Sequence, residues 1–333
     1  MEKLAATRDA YGEALRSLGE DNQDIVVLDA DLSQSTKTSI FAKAFPDRFF
    51  NVGIAECDMM GIAAGLAHSG KVVFASTFAV FATGRVYDQI RQSIAYPNIN
   101  VKIVASHAGV TVGADGASHQ ALEDIALMRV LPNMTVIVPS DARETRDAVR
   151  LAASWPGPVY VRLGRESVPI VMPDGIHFEI GKGTPLYPAI SRDRLLTKDQ
   201  GQRFDVLMVA CGVMVKACLE AAAGLEKEGL NCLVLDFASI KPLDEELLLA
   251  CAKMSKVVVT AEEHSIIGGL GSAVCECLAD AHPSVVRRVG VRDVFGQSGT
   301  AAELLRAYGL MAEDVATAAK RALGLLPATH DCL

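Results

Sequence analysis

Three stretches in the first half of the chain carry residue types that can do chemistry. In NVGIAECDMMGIAAGLAHSG, Glu56 stands at the start of a predicted helix of small residues, which places its carboxylate near the interior. Read structurally, it is a helix-start acid complementing the macrodipole, worth about 0.3–1 kcal/mol. In STFAVFATGRVYDQIRQ, Phe78 and Phe81 lie three apart just beyond a predicted strand, in a chain with 5% aromatics. They either fill core or offer a stacking surface to a flat ring. SHAGVTVGADGASHQALED is the most specific: His107, Asp115 and His119 share one glycine-rich loop. His119 is expected at a helix start, where the positive dipole end favours neutral imidazole and suits it to proton exchange with hydroxyls or carbonyls. Zinc does not fit, since no cysteine lies near and the spacings differ from those of zinc sites.

These stretches need a scaffold that brings them to one edge. IVVLDAD (25–31), VVFAS (72–76), NVKIVAS (100–106), TVIVPS (135–140) and VYVRL (159–163) read as buried strands, with helices near 56–68, 82–95, 119–129 and 141–153 between them. Strands without polar alternation, separated by helices, predict an α/β fold with a mainly parallel sheet. Such sheets hold their active sites at the carboxyl ends of the strands, where DADLSQS, NVGIAE, ASTFAVF, the His107–His119 loop and RLGRES all fall. Residues 172–204, with prolines and the polar run SRDRLLTKDQGQR, break the rhythm, and a second α/β unit follows. The expected division is residues 1–180, a connection over 181–204, and residues 205–333.

The 333 residues suffice for two cores, and a composition half hydrophobic and 22% charged is that of a folded chain. A net charge of -8 without any Lys/Arg run argues against a nucleic-acid partner, while leaving room for local phosphate pockets. The N-terminus reads as an amphipathic helix without signal-peptide features, and no apolar run nears the ~20 residues that cross a bilayer. The expectation is a soluble, cytoplasmic protein without membrane contact. Eight cysteines, none in a CxxC pair, read as buried reduced thiols.

The three stretches, in this order, resemble the transketolase family. GIAE followed by GIAAGLA is similar to its pyrimidine-binding segment, and GADGASHQ to its G-x-D-G-x-x-H-Q signature. The resemblance covers nearly the whole chain, because TAEEHSIIGGLGSAV is similar to the transketolase C-terminal domain. It implies thiamine diphosphate as cofactor, with Glu56 hydrogen-bonded to N1′ of the aminopyrimidine, Phe78 and Phe81 packed on that ring, and Asp31 close to the cofactor. It further implies that Asp115 binds a substrate hydroxyl and His119 assists proton transfer. Substrate phosphate would be held by Arg8, Ser35, His107 and Arg165, with Arg162 a neighbour or substitute for Arg165. The sequence departs from the family at Gly84, where many members have a third aromatic, and at Ala55 and Cys57, where many have arginine and histidine.

The resemblance also marks a gap. The GDG motif and the asparagine some thirty residues on, which bind magnesium and diphosphate in the family, have no counterpart in this sequence; GADG (113–116) belongs to the substrate loop. Met1 stands where a pyrimidine domain begins. The expectation is therefore the C-terminal subunit of a split transketolase, paired as α2β2 with an N-terminal subunit that carries the Mg2+ ligands. Together they would transfer a two-carbon ketol unit between sugar phosphates. A 2-oxo acid dehydrogenase beta subunit and a non-catalytic assembly subunit remain as alternatives.

Overall fold

Runs of Val, Ile and Leu that alternate with no polar partner must be covered on both faces, and helices cover them here. The computed structural model describes residues 4–197 and 201–327. Seven strands form the first sheet, in spatial order Ser239–Lys241, Thr135–Ile137, Val159–Arg162, Val101–Ala105, Val72–Ser76, Ile25–Asp29 and Phe49–Asn51. The last six are parallel, and Ser239–Lys241 closes one edge antiparallel. On one face the helix Glu56–His68 buries Met59, Met60 and Ala63. On the other, Thr7–Asp21 and Ala142–Ser154 bury Tyr11, Leu15, Ala148 and Val149.

A second sheet orders Val286–Val291, Ser255–Ser265, Phe204–Ala210, Cys232–Asp236 and Thr184–Tyr187, again parallel except for the last. Within the segment 181–204, expected as a connection, two described stretches join the second unit: Thr184–Tyr187 pairs with Cys232–Asp236, and Arg192 on the helix Arg192–Leu196 bonds Asp244 at 3.0 Å. Proline at 185 is tolerated because this is an edge strand.

The expected helices at 56–68 and 141–153 appear as Glu56–His68 and Ala142–Ser154. The expected 82–95 helix is broken into Ala79–Thr83, Tyr87–Gln89 and a wider π turn over Ile90–Ala95, with Gly84 ending the first piece. The 119–129 helix begins only at Asp124. Cys211, Cys218, Cys232 and Cys251 are buried free thiols, and burial pushes Cys232 and Cys251 up to about 12, but Cys57 is exposed and Cys275 and Cys277 are half-buried, against the expectation of burial. Cys332 lies outside the described residues. Among those residues, no helix is long and apolar enough to cross a membrane.

Candidate active site

At the carboxyl end of the first sheet, each loop is fastened before it presents a functional side chain. Asp29 ends its strand and accepts from Leu32 N (2.6 Å), Thr36 Oγ1 (2.7 Å) and Thr38 Oγ1 (2.8 Å), which folds the loop that carries Ser35. Burial, set against those hydrogen bonds, leaves its carboxyl above the usual range. Arg8 Nη1 donates to the Ser35 carbonyl at 3.1 Å. A two-stranded ribbon, Leu4–Ala6 against Ser167–Pro169, and a 3.1 Å bond from Gly164 N to Thr7 Oγ1 stitch the Arg165 loop beside Arg8.

His107 lies between these arginines and the aromatic pair. It is 3% exposed, with a φ of 60°. Its ring stacks on Phe78 with centroids 3.8 Å apart and planes inclined by 21°. Burial first, then the positive charges of Arg8 and Arg165 and the proximity of His119, push its pKa down to about 3. It is therefore a neutral hydrogen-bonding imidazole and not a cation. Arg8 Nε is buried without a protein partner, an orphan donor of the kind that an anion satisfies.

The stack continues outward. Phe78 and Phe81 lie parallel at 6.0 Å, and His119 meets Phe81 edge-on at 5.4 Å. The guanidinium of Arg85 sits 4.3 Å above the Phe81 ring centroid, and its Nη1 donates to Glu56 Oε2 at 3.3 Å. Glu56, 5% exposed, is the first residue of its helix, as expected.

His119 is not at a helix start: it lies in a turn, N–H bonded to Gly116 O at 3.0 Å, five residues before the helix Asp124–Arg129. The intervening residues are held open by the second unit. Gln120 Nε2 donates to Val110 O (3.2 Å) and Gln297 O (2.9 Å), and Glu263 accepts from Thr111 N at 2.6 Å. Gly116 has a φ of 75°, which would strain any other residue, and a Cβ there would force the Ser298 hydroxyl, 2.6 Å away, to move. The loop thus takes its shape from tertiary contacts.

Asp115 and Arg165 face each other at 3.6 Å on the rim, and Arg165 Nη1 donates to Val112 O at 2.6 Å. Asp31 stands apart from the stack: it is exposed, has a φ of 64°, and accepts from Asn51 Nδ2 at 2.9 Å. Arg162 does not serve as the expected substitute for Arg165. It is 6% exposed and locked behind the site, with Nε 2.7 Å from Asp124 Oδ2 and Nη2 donating to Ala121 O (3.1 Å) and Glu263 O (2.9 Å).

The structure therefore gathers Glu56, Phe78, Phe81, His107 and His119 around one stack, with Arg8, Ser35, Arg165 and Asp115 beside it. Residues 3–171 match the family model for the transketolase pyrimidine binding domain, and residues 197–315 match that for the transketolase C-terminal domain. The chain belongs to the transketolase family. It is similar to a solved structure described as a split gene transketolase, inactive beta4 tetramer, with 57% identity and a TM-score of 0.86 over 96% of this chain and 99% of that one. A protein of Methanocaldococcus jannaschii named as a transketolase C-terminal section is 48% identical over 93% of both chains. The 6-deoxy-6-sulfo-D-fructose transketolase subunit of Clostridium sp. (strain MSTE9) is 40% identical over 94% of this chain and 92% of its own. The chain is thus the counterpart of a transketolase C-terminal section.

Membership implies thiamine diphosphate, and the site fits its aminopyrimidine. The Arg85 guanidinium, a flat group, lies over the Phe81 ring and bonds the buried Glu56 carboxylate, so a flat ring in its place would meet both. Among the described residues, no cluster of three or more His, Cys, Asp or Glu side chains could hold a metal ion.

Sequence reading missed Arg85, Asp29 and Glu263. Arg85 had only its spacing of four from Phe81 as a signal, and Gly84 ends the helix Ala79–Thr83 before it. Glu263 had none, because its partner Thr111 is 152 residues away.

Proposed function

We propose that this chain is the C-terminal subunit of a two-subunit, thiamine-diphosphate-dependent transketolase whose active site is completed by an N-terminal partner. The observation that carries this reading is the single contiguous cluster that runs from the Glu56 carboxylate through Phe81 and Phe78 to His107 and the paired Arg8 and Arg165. It sets a carboxylate and a stacking ring at one end and two arginines with a neutral imidazole at the other.

The bound cofactor would supply the carbanion chemistry that breaks and remakes a carbon–carbon bond. The chain's residues would hold and orient. Glu56 would bond the pyrimidine N1′, and the phenylalanines would fix its plane. Arg8, Ser35, neutral His107 and Arg165 would hold the sugar phosphate, with the arginines as charged donors and His107 as a directional one. Asp115 would take a sugar hydroxyl, and His119 would exchange a proton at the sugar oxygen. Magnesium and the diphosphate would be bound by the partner, in an α2β2 assembly. Asp31 would contribute at the margin of the pocket.

The split-gene relative is described as an inactive beta4 tetramer. By analogy, this chain alone would self-assemble without turnover. Pentose phosphates are the proposed substrates, and the sulfo-sugar named for the Clostridium relative makes a modified ketose the second choice.

The test is ketol transfer from xylulose 5-phosphate to ribose 5-phosphate, with magnesium and thiamine diphosphate, for the chain alone and with its partner subunit. Activity confined to the mixture is expected. Activity of the chain alone would refute completion by a partner. A stable, cofactor-loaded complex inert toward every ketose phosphate and 2-oxo acid offered would leave the non-catalytic alternative standing.

A further inference from the structure

Arg85 makes, with one side chain, both contacts that a cofactor pyrimidine would need. Its planar guanidinium covers the outer face of Phe81 at 4.3 Å, and its Nη1 donates to Glu56 Oε2 at 3.3 Å. An aromatic ring stacked on Phe81 would have its centroid about 4.5–7 Å from that of Phe81, so the guanidinium already fills that layer. The two groups would also share one acceptor: a pyrimidine nitrogen and an arginine N–H would bond the same carboxylate, which is only 5% exposed. Phe78 lies against Phe81 with centroids 6.0 Å apart, and Phe78 is itself stacked on His107 at 3.8 Å.

We infer that Arg85 is a built-in competitor for the pyrimidine site: it caps Glu56 and Phe81 while the site is empty and is displaced when cofactor binds. This rests on the thiamine diphosphate reading of the pocket. The Arg85 side chain is 49% exposed, so it can swing to solvent without disturbing the core. Its backbone is anchored separately, since its carbonyl accepts from Cys57 Sγ at 3.4 Å, so the swing needs side-chain rotation alone. The cap also gives the buried Glu56 carboxylate a counter-charge while cofactor is absent.

A competitor of this kind acts through the fraction of molecules open to ligand. If roughly nine in ten sites are capped, the apparent dissociation constant is about tenfold weaker than the intrinsic one. The assembled two-subunit enzyme, with magnesium, is titrated with thiamine diphosphate by calorimetry, and association is followed by stopped flow. Arg85→Ala should bind roughly tenfold tighter, through faster association with little change in dissociation. Arg85→Lys should fall between, because an ammonium keeps the ion pair but not the planar stack. Unchanged or weaker binding by Arg85→Ala, with wild type binding normally, would overturn the inference and make Arg85 a bystander or a cofactor ligand. Failure of the intact wild-type complex to bind thiamine diphosphate would instead overturn the cofactor reading itself, and the inference with it.

Discussion

Replacing Arg162 with methionine should cost stability and leave phosphate recognition to others. Arg162 is 6% exposed and Asp124 fully buried, with 2.7 Å between Nε and Oδ2. Methionine retains most of the aliphatic stem, so little apolar burial is lost. What remains is a stranded carboxylate: Tyr160 donates to Asp124 Oδ2 at 2.6 Å, but Oδ1 has no hydrogen-bond partner and His264 Nε2 is 4.0 Å from it. Breaking one side of a buried pair costs about 3–5 kcal/mol, a large share of the ~5–15 kcal/mol that holds a typical protein folded. The dependence on pH follows. Burial alone would raise the Asp124 carboxyl, but Arg162 and then His264 more than offset it and hold it below the usual range. Its contribution in wild type is therefore present above the unfolded pKa and lost as pH falls through the depressed folded value. Without Arg162 the folded pKa rises above the unfolded one, so Asp124 penalises the variant most at high pH and the deficit shrinks on acidification. Urea unfolding followed by the single tryptophan, Trp155, at pH 5 and pH 8 measures this. Pairing Arg162→Met with Asp124→Asn should recover most of the loss. A deficit below ~1 kcal/mol, one that does not vary with pH, or a double variant as weak as the single would refute the reasoning.

Arg165→Ala should do the reverse, raising the Michaelis constant for phosphorylated substrates of the two-subunit enzyme by the equivalent of about 1.5–3 kcal/mol with little change in urea midpoint. An unchanged Michaelis constant removes it from the phosphate site. Glu56→Gln should lower ketol transfer by at least ~10²-fold, and near-normal turnover would take Glu56 out of the mechanism. For His107, NMR titration of the imidazole carbons should show no protonation between pH 8 and pH 5, because the folded pKa is pushed down to about 3. The unfolded chain takes up that proton near pH 6.5, so His107 costs stability as pH falls below that value. A His107 midpoint near 6 would contradict the burial and the charge crowding.

What the sequence revealed about this fold was set by local patterning. The five strands of the first sheet that read as unbroken β-branched runs are present, because a strand covered on both faces has little room for polar residues. The short strands Phe49–Asn51, Leu4–Ala6, Ser167–Pro169 and Ser239–Lys241 escaped notice, since three residues show no period and owe their pairing to partners far along the chain. The site follows the same division. Glu56 and the two phenylalanines were legible from position at strand and helix ends. His119 was misplaced, because the helical pattern of ALEDIALMR extends back past the residue where Gln120 and Glu263 hold the chain off helical geometry. Arg162 and Arg165 differ by three positions, one inside a strand and one past its end, and only the fold tells the buried ion pair from the rim.

The strand Ser239–Lys241 reaches across from the second unit to pair with Thr135–Ile137 and finish the first sheet. Severing the chain between the two units would therefore strip an edge from the one that keeps Glu56. Thr135–Ile137 would then present open N–H and C=O groups along an apolar run, a template for any other chain with a free strand. Lys241 would be withdrawn too, and with it the donors that its Nζ offers to Arg129 O (2.9 Å) and Leu131 O (2.5 Å). Two halves expressed apart would lack this seam, so the unit that keeps Glu56 is expected to be less stable alone than within the whole chain.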